Sequence, residues 1–147
     1  MELEQIEVKE NFDIKNMTTF KVGGAVRKIY FPTTQKELVY LLQTVKNPVV
    51  LGGCSNIIFS SQGYDGEIIS TLKTDNVVAR GTQIVAECGA KGPMVSQLAL
   101  NFSLSGFEFM IGFPGTIGGN VCMNAGAHGQ SISDTFVKAC VFDMKNK

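Results

Sequence analysis

The sequence predicts a mixed helix-and-strand fold, and three observations carry that reading. Strand-like and helix-like segments alternate through the first fifty residues. A second helix opens at a proline, Pro93. Glycine is concentrated in two clusters that flank these elements.

The alternation is clearest at the start. Residues Val26 to Phe31 are rich in strand formers and stop at Pro32, which cannot donate to a sheet ladder. The run Thr34-Gln-Lys-Glu37 reads as a capping box. Behind it Leu38, Leu41, Leu42 and Val45 recur at the spacing of one helix face. Asn47-Pro48 should close that helix, because the residue before proline is pushed out of the α region. Val49 to Leu51 is a short buried strand running into Gly52-Gly53. The order strand, helix, strand suggests a parallel βαβ unit with a right-handed crossover.

Beyond Asn56 the pattern shortens. Ile57 to Phe59 and Glu67 to Ser70 are candidate strands, joined through a turn segment holding Gly63 and Gly66. Asn76 to Ala79 and Gln83 to Cys88 form a hairpin about Gly81. Pro93 sits where a first helical residue belongs, with Met94, Val95, Leu98, Ala99 and Phe102 on one face and Gly106 as the stop. Thr135 to Asp143 alternates and reads as a final strand. Met144 to Lys147 then resembles the turn of a hairpin without its return strand. Domains seldom end on an open inner edge, so we read the end as a truncation.

Composition narrows the function. The 147 residues are 44% hydrophobic, and 13 basic side chains balance 13 acidic ones. Zero net charge argues against a nucleic-acid or anionic-membrane surface. It does not exclude an anionic small molecule, since backbone amides can hold phosphate unaided. No apolar run approaches a bilayer span, and the charged N-terminus is no secretory signal, so a soluble cytoplasmic chain is expected. The four cysteines (Cys54, Cys88, Cys122, Cys140) have no metal-ligand spacing, and His128 is the lone histidine. They read as buried thiols, and no metal site is expected.

The glycine clusters carry the chemistry. One is Leu51-Gly52-Gly53-Cys54-Ser55-Asn56. The other runs from Gly112 through Pro114-Gly115-Thr116, Gly118-Gly119-Asn120 and Asn124-Ala125-Gly126-Ala127 to Gly129. Seven of the sixteen glycines lie between Gly106 and Gly129. Without a Cβ the backbone can approach a ligand closely, and consecutive amides form a concave anion nest. Ser55, Asn56, Thr116 and Asn124 add side-chain donors, so a diphosphate held between the loops needs no lysine. No GxGxxG, P-loop or GxSxG motif is present.

Three blocks resemble one family. Asn16-Met-Thr18-Thr19-Phe20-Lys21-Val22-Gly23-Gly24 is similar to the N-terminal signature of the UDP-N-acetylenolpyruvoylglucosamine reductases. Leu51 to Asn56 resembles their first FAD loop, and Gly106 to Ala127 resembles the second. The resemblance implies an α+β FAD-binding domain of the vanillyl-alcohol-oxidase (PCMH) type, in two small α/β subdomains. These would be residues 1–72 and a truncated 73–147, with no C-terminal substrate-binding domain. It places the diphosphate of FAD near Gly52, Gly53, Cys54, Ser55 and Asn56 and near Pro114, Gly115, Thr116, Gly118 and Gly119. Asn124, Ala125, Gly126 and Ala127 would lie toward the flavin.

The implied activity is NADPH-dependent reduction of UDP-N-acetylglucosamine enolpyruvate in cell-wall precursor synthesis. The family's arginine, proton-donating serine and glutamate would lie beyond Lys147. No catalytic residue is therefore assigned, and the chain alone should be inactive and bind FAD weakly or not at all. The missing half is the one expected macromolecular partner. Ser131 and Ser133 read as cap or turn residues, and Glu108 as a structural hydrogen-bond partner. Cys54 and Lys21 depart from the family pattern. Two alternatives stay open: another flavin oxidoreductase of this fold, with His128 or Cys122 as a covalent flavin ligand, and a non-catalytic nucleotide-binding module or remnant.

Overall fold

The computed structural model describes residues 6–145. Its main sheet has four strands. β1 (Glu7–Asp13) runs antiparallel to β2 (Ala25–Phe31), and β3 (Val49–Leu51) and β4 (Tyr64–Ser70) run parallel to β2, in the order β1-β2-β4-β3. The expected parallel strand–helix–strand unit is present, but β4 is inserted between its two strands. β4 also begins at Tyr64, so Gly66 belongs to the strand. It sits at a register irregularity where Val26 pairs with Tyr64 and Lys28 with Glu67, and a Cβ on it would collide with the Tyr64 ring.

β1 escaped the sequence reading. Six of its seven residues are exposed, so no alternation marks it. It is an edge strand, and its charges (Glu7, Lys9, Glu10) suit an edge that must not recruit another strand. Glu7 pairs with Lys73 and Lys9, and those two cations hold its carboxyl below the usual range.

Side chains alternate across the sheet into two clusters. Ile29, Phe31 and Ile68 join Ile14, Leu51, Cys54 and Phe59 on one face, while Tyr30 and Ile69 meet α1 (Gln35–Thr44) on the other. Leu41 and Leu42 of that helix, and Val45 just past its end, are buried as the spacing requires, each contributing about 1.5–3 kcal/mol. Tyr30 donates to Glu67 at 2.9 Å, and burial, then that bond, pushes its hydroxyl up to about 12.

The α1 cap differs from the expected box. Thr34 Oγ1 accepts from the Glu37 amide at 3.2 Å, but the Glu37 carboxylate reaches back to the Thr33 amide at 2.7 Å. The helix also stops at Thr44, before Asn47-Pro48.

The rest packs about a third cluster of Val95, Phe109, Met110 and Ile132. β5 (Val77–Arg80) and β6 (Gln83–Ala86) form the expected hairpin, with Gly81 at φ +60 opening a two-residue turn. α2 (Gly92–Asn101) begins one residue before the expected start, with Pro93 second in the helix. Only Val95 and Ala99 of its predicted face are fully buried; Met94 and Phe102 are exposed. Gly106 is not its stop. Ser103, at φ +55, ends the helix, with Ser103 N–H donating to Leu100 and Leu104 N–H to Ala99 in a Schellman arrangement. α3 (Ile117–Met123), the short hairpin β7 (Gly126–Ala127) and β8 (Gln130–Ser131), and α4 (Ile132–Thr135) complete the described chain.

Two expected strands are absent. Ile57 to Phe59 alternates and buries Phe59 in the first cluster, yet makes no ladder. The segment from Thr135 to Asp143 ends α4 and then runs without regular structure, with Val137 and Val141 exposed. Alternation marks a two-faced segment, but a strand also needs a neighbour to take its N–H and C=O groups, and neither segment has one among the described residues.

Candidate functional site

The two glycine clusters meet. A Cβ on Gly53 would stand 2.5 Å from Gly115 Cα, and one on Gly52 would strike Thr116 Oγ1. A Cβ on Gly115, itself at φ +94, would stand 2.9 Å from Ser55 Oγ. These glycines are required because two backbones, about sixty residues apart in sequence, lie in contact. Between and above them is a cleft of about 470 Å³.

The first loop is pinned from below. Leu51 C=O accepts from Thr71 Oγ1 at 3.2 Å, and Cys54 C=O accepts from the Thr19 amide at 3.3 Å. The second bond comes from the N-terminal signature, whose buried Thr18 hydroxyl bonds to the carbonyls of Lys15 and Val22. Lys21, at φ +54, reaches the Asn16 carbonyl with Nζ. Cys54 adopts φ +52 and sends its side chain into the first core cluster. Burial pushes its thiol up, so it is an inert packing group, as is Cys88 for the same reason. With the carbonyls and the thiol engaged, the amides of Gly53, Cys54, Ser55 and Asn56 have no partner among the described residues. Successive free amides about a left-handed residue are the geometry of an anion nest.

The second loop behaves differently. The Ile117 amide donates to Ala90 C=O at 2.7 Å and the Gly118 amide to Cys88 C=O at 2.8 Å. A Cβ on Gly118 would meet Cys88 at 2.9 Å. Gly118 therefore serves the docking of α3 on the segment before α2 and does not line the cleft. What this loop offers is side-chain polarity: Thr116 and Asn120, both buried, have Oγ1 and Nδ2 without partners among the described residues.

Of the sequence-predicted residues, Gly52, Gly53, Cys54, Ser55, Asn56, Pro114, Gly115, Thr116, Gly119, Ala125 and Gly126 line the cleft. Asn124 and Ala127 do not. Asn124 caps α3 at φ +43 and its Oδ1 accepts from the Ser133 amide at 3.0 Å; Ala127 pairs with Gln130. Asn120, Met123, Phe113 and Ile57 line it although sequence reasoning did not select them. For Asn120 a signal existed: it follows Thr116 by four residues, which on a helix places both on one face.

The remaining candidates are structural. Glu108 accepts from the Gly106 amide at 2.8 Å; Ser131 is the N-cap of α4, its amide donating to Asp134 at 2.7 Å, and Ser133 Oγ lies 2.9 Å from Ser131 Oγ. His128 (φ +56) and Gly129 (φ +80) form the β7–β8 turn. Neither His128 nor Cys122 lines the cleft, which weighs against either as a covalent flavin ligand.

Comparison with known proteins decides the family. A family model described as an FAD binding domain matches residues 16–145. The chain belongs to this FAD-binding family. Its α+β fold agrees with that membership. UDP-N-acetylenolpyruvoylglucosamine reductase of Caldicellulosiruptor bescii is 44% identical over 142 residues, covering 94% of this chain and 45% of that protein. The reductase of Streptococcus suis is 41% identical, covering 95% and 47%. The crystal structure of the Thermus caldophilus reductase superposes with a TM-score of 0.67 at 27% identity, covering 88% of this chain and 46% of that one. The chain spans about half the length of the curated relatives it matches.

FAD fits the donor set. A ligand diphosphate is rich in acceptors and has no donor, whereas the cleft presents unused amides and two buried, unpartnered polar side chains. Among the described residues no lysine or arginine lines it. No described helix is long and apolar enough to cross a membrane. Among the described residues no group of three His, Cys, Asp or Glu is arranged to hold a metal ion.

Proposed function

We propose that this chain is the FAD-binding part of a cytoplasmic UDP-N-acetylenolpyruvoylglucosamine reductase, with residues 1–72 and 73–147 as its two FAD subdomains. The observation that carries this is the meeting of the two glycine loops around unused donors, in a chain about two-fifths identical to such reductases along nearly its full length. When bound, FAD supplies the hydride relay from NADPH to the enolpyruvyl double bond of UDP-N-acetylglucosamine enolpyruvate.

The chain's own residues hold and orient. The amides of Gly53 to Asn56 cradle the diphosphate, and the contact of Gly53 with Gly115 fixes the distance between the walls. Ala125 and Gly126, small and unbranched, let the flavin end lie close to backbone. Cys54 keeps the nest in shape from beneath, through its burial, and takes no part in redox chemistry. No residue of this chain is assigned to proton transfer.

Titrating the 147-residue chain with FAD, followed by quenching of flavin fluorescence, tests the reading. Saturable but weak binding is expected, with no NADPH oxidation on adding the enolpyruvyl substrate. Absence of saturation at millimolar FAD would overturn it.

A further inference from the structure

The base of the cleft holds polarity that the fold does not use. Asn120 and Thr116 stand one helical turn apart at the start of α3 and are 6% and 1% exposed. Asn120 Nδ2 and Thr116 Oγ1 nevertheless find no partner among the described residues. Buried polar atoms are nearly always satisfied, because leaving a donor without an acceptor forfeits its hydrogen bonds to water. Thr116 occupies the N-cap position of α3 but makes no capping bond with its hydroxyl.

The two side chains stand where the loops meet. Thr116 Oγ1 abuts Gly52, and Asn120 Oδ1 lies 3.4 Å from where Gly115 would carry a Cβ, with Ser55 Oγ 2.9 Å from the same point. One neutral polar side chain from each loop thus flanks Gly115, and Thr116 Oγ1 faces Gly52. A carboxamide rotated about its Cβ–Cγ axis exchanges its oxygen and nitrogen, so Asn120 can present a donor beside Gly115. The end of α3 is not the attraction: its first two amides are bonded to Ala90 and Cys88.

We propose that Asn120 is a ligand-contact residue: its carboxamide, together with Thr116 Oγ1, donates to a diphosphate oxygen of the bound dinucleotide beside Gly115. This rests on the dinucleotide reading above and adds to it a residue outside the glycine nest. A neutral donor pair suits a cleft without lysine or arginine, since it recognises phosphate by direction and not by net charge.

The test compares the 147-residue chain with Asn120→Ala, Asn120→Asp and Thr116→Val, each titrated with ADP, FAD and riboflavin, alongside thermal melts. ADP carries the diphosphate without a flavin; riboflavin carries neither phosphate. Asn120→Ala should weaken ADP and FAD by about tenfold and leave riboflavin unaffected. Its melting temperature should hold or rise, because an unsatisfied buried amide has been removed. Asn120→Asp should weaken ADP further by setting a carboxylate against the diphosphate. A residue that merely supports the fold would do the reverse, lowering the melting temperature with ADP affinity intact, and that result overturns the inference. Wild-type FAD binding with ADP affinity unchanged in Asn120→Ala and Asn120→Asp removes the role of Asn120 and leaves the dinucleotide reading standing. Failure of the wild-type chain to bind either ADP or FAD overturns both.

Discussion

The two glycine loops look alike in sequence and do opposite work. The first, Gly52 to Asn56, anchors its carbonyls and its one buried side chain and leaves its amides open. The second, at the start of α3, gives the amides of Ile117 and Gly118 to Ala90 and Cys88 and leaves the buried Thr116 Oγ1 and Asn120 Nδ2 without partners among the described residues. Glycine serves close approach in both, Gly52 and Gly53 against Thr116 and Gly115, and Gly118 against Cys88, while the left-handed glycine, Gly115 at φ +94, belongs to the second loop. A glycine-rich run therefore announces a close approach without saying to what.

The largest effect should come from breaking the contact between the loops. Gly53→Val sets branched carbon against Gly115 Cα, which has no side chain to yield. We expect a loss of about 1–3 kcal/mol of stability and of measurable dinucleotide binding, read by thermal melts and flavin fluorescence. Retained binding would mean the walls tolerate separation. Next, Gly118→Ala should cost a similar or smaller amount, about 1–3 kcal/mol, through the Cys88 backbone. Affinity of the folded fraction should stay unchanged, which distinguishes a packing glycine from a binding one.

A smaller effect follows from titration. Cys54 and Cys88 titrate above their ordinary value because burial disfavours the thiolate, and Tyr30 reaches about 12. Groups with raised folded values give their full stability below the unfolded value and lose it as pH climbs through the folded one. The melting temperature should accordingly begin to fall above about pH 8.5, and fall again as tyrosine ionises. A flat profile to pH 11 would contradict the burial of Cys54 and the half-burial of Cys88. Smallest of all, Gly119→Ala has room, its nearest side-chain neighbour 3.7 Å away. It should add about 0.5–1 kcal/mol by helix preference, seen as a raised melting temperature.

How much of this could be read in advance follows the same division. The α1 face, the β5–β6 hairpin and the strand before Pro32 were legible because periodicity and burial coincide there. β1 was not, since an edge strand exposed on both faces carries no period. Insertion of β4 into the βαβ unit is a fact of pairing that spacing does not encode. The segments at Ile57 and Val137 alternate but lack a ladder. In the site, both loops were visible as glycine. That Gly118 packs on Cys88 and stays out of the cleft, and that Asn120 lines it, depend on neighbours remote in sequence that glycine content does not encode.

The touching of Gly53 and Gly115 has a consequence for how the chain acquires its shape. Neither loop alone is a receptor, so the receptor is born only when distant stretches of polypeptide have docked. Ligand occupancy is then coupled to the folding of the whole chain, and even a weak dinucleotide, given in excess over its dissociation constant, adds RT ln(1 + [L]/Kd) to the resistance against unfolding. Quenching of flavin emission would serve as a gauge of correctly folded material, and supplementing growth medium with a flavin precursor should raise its yield.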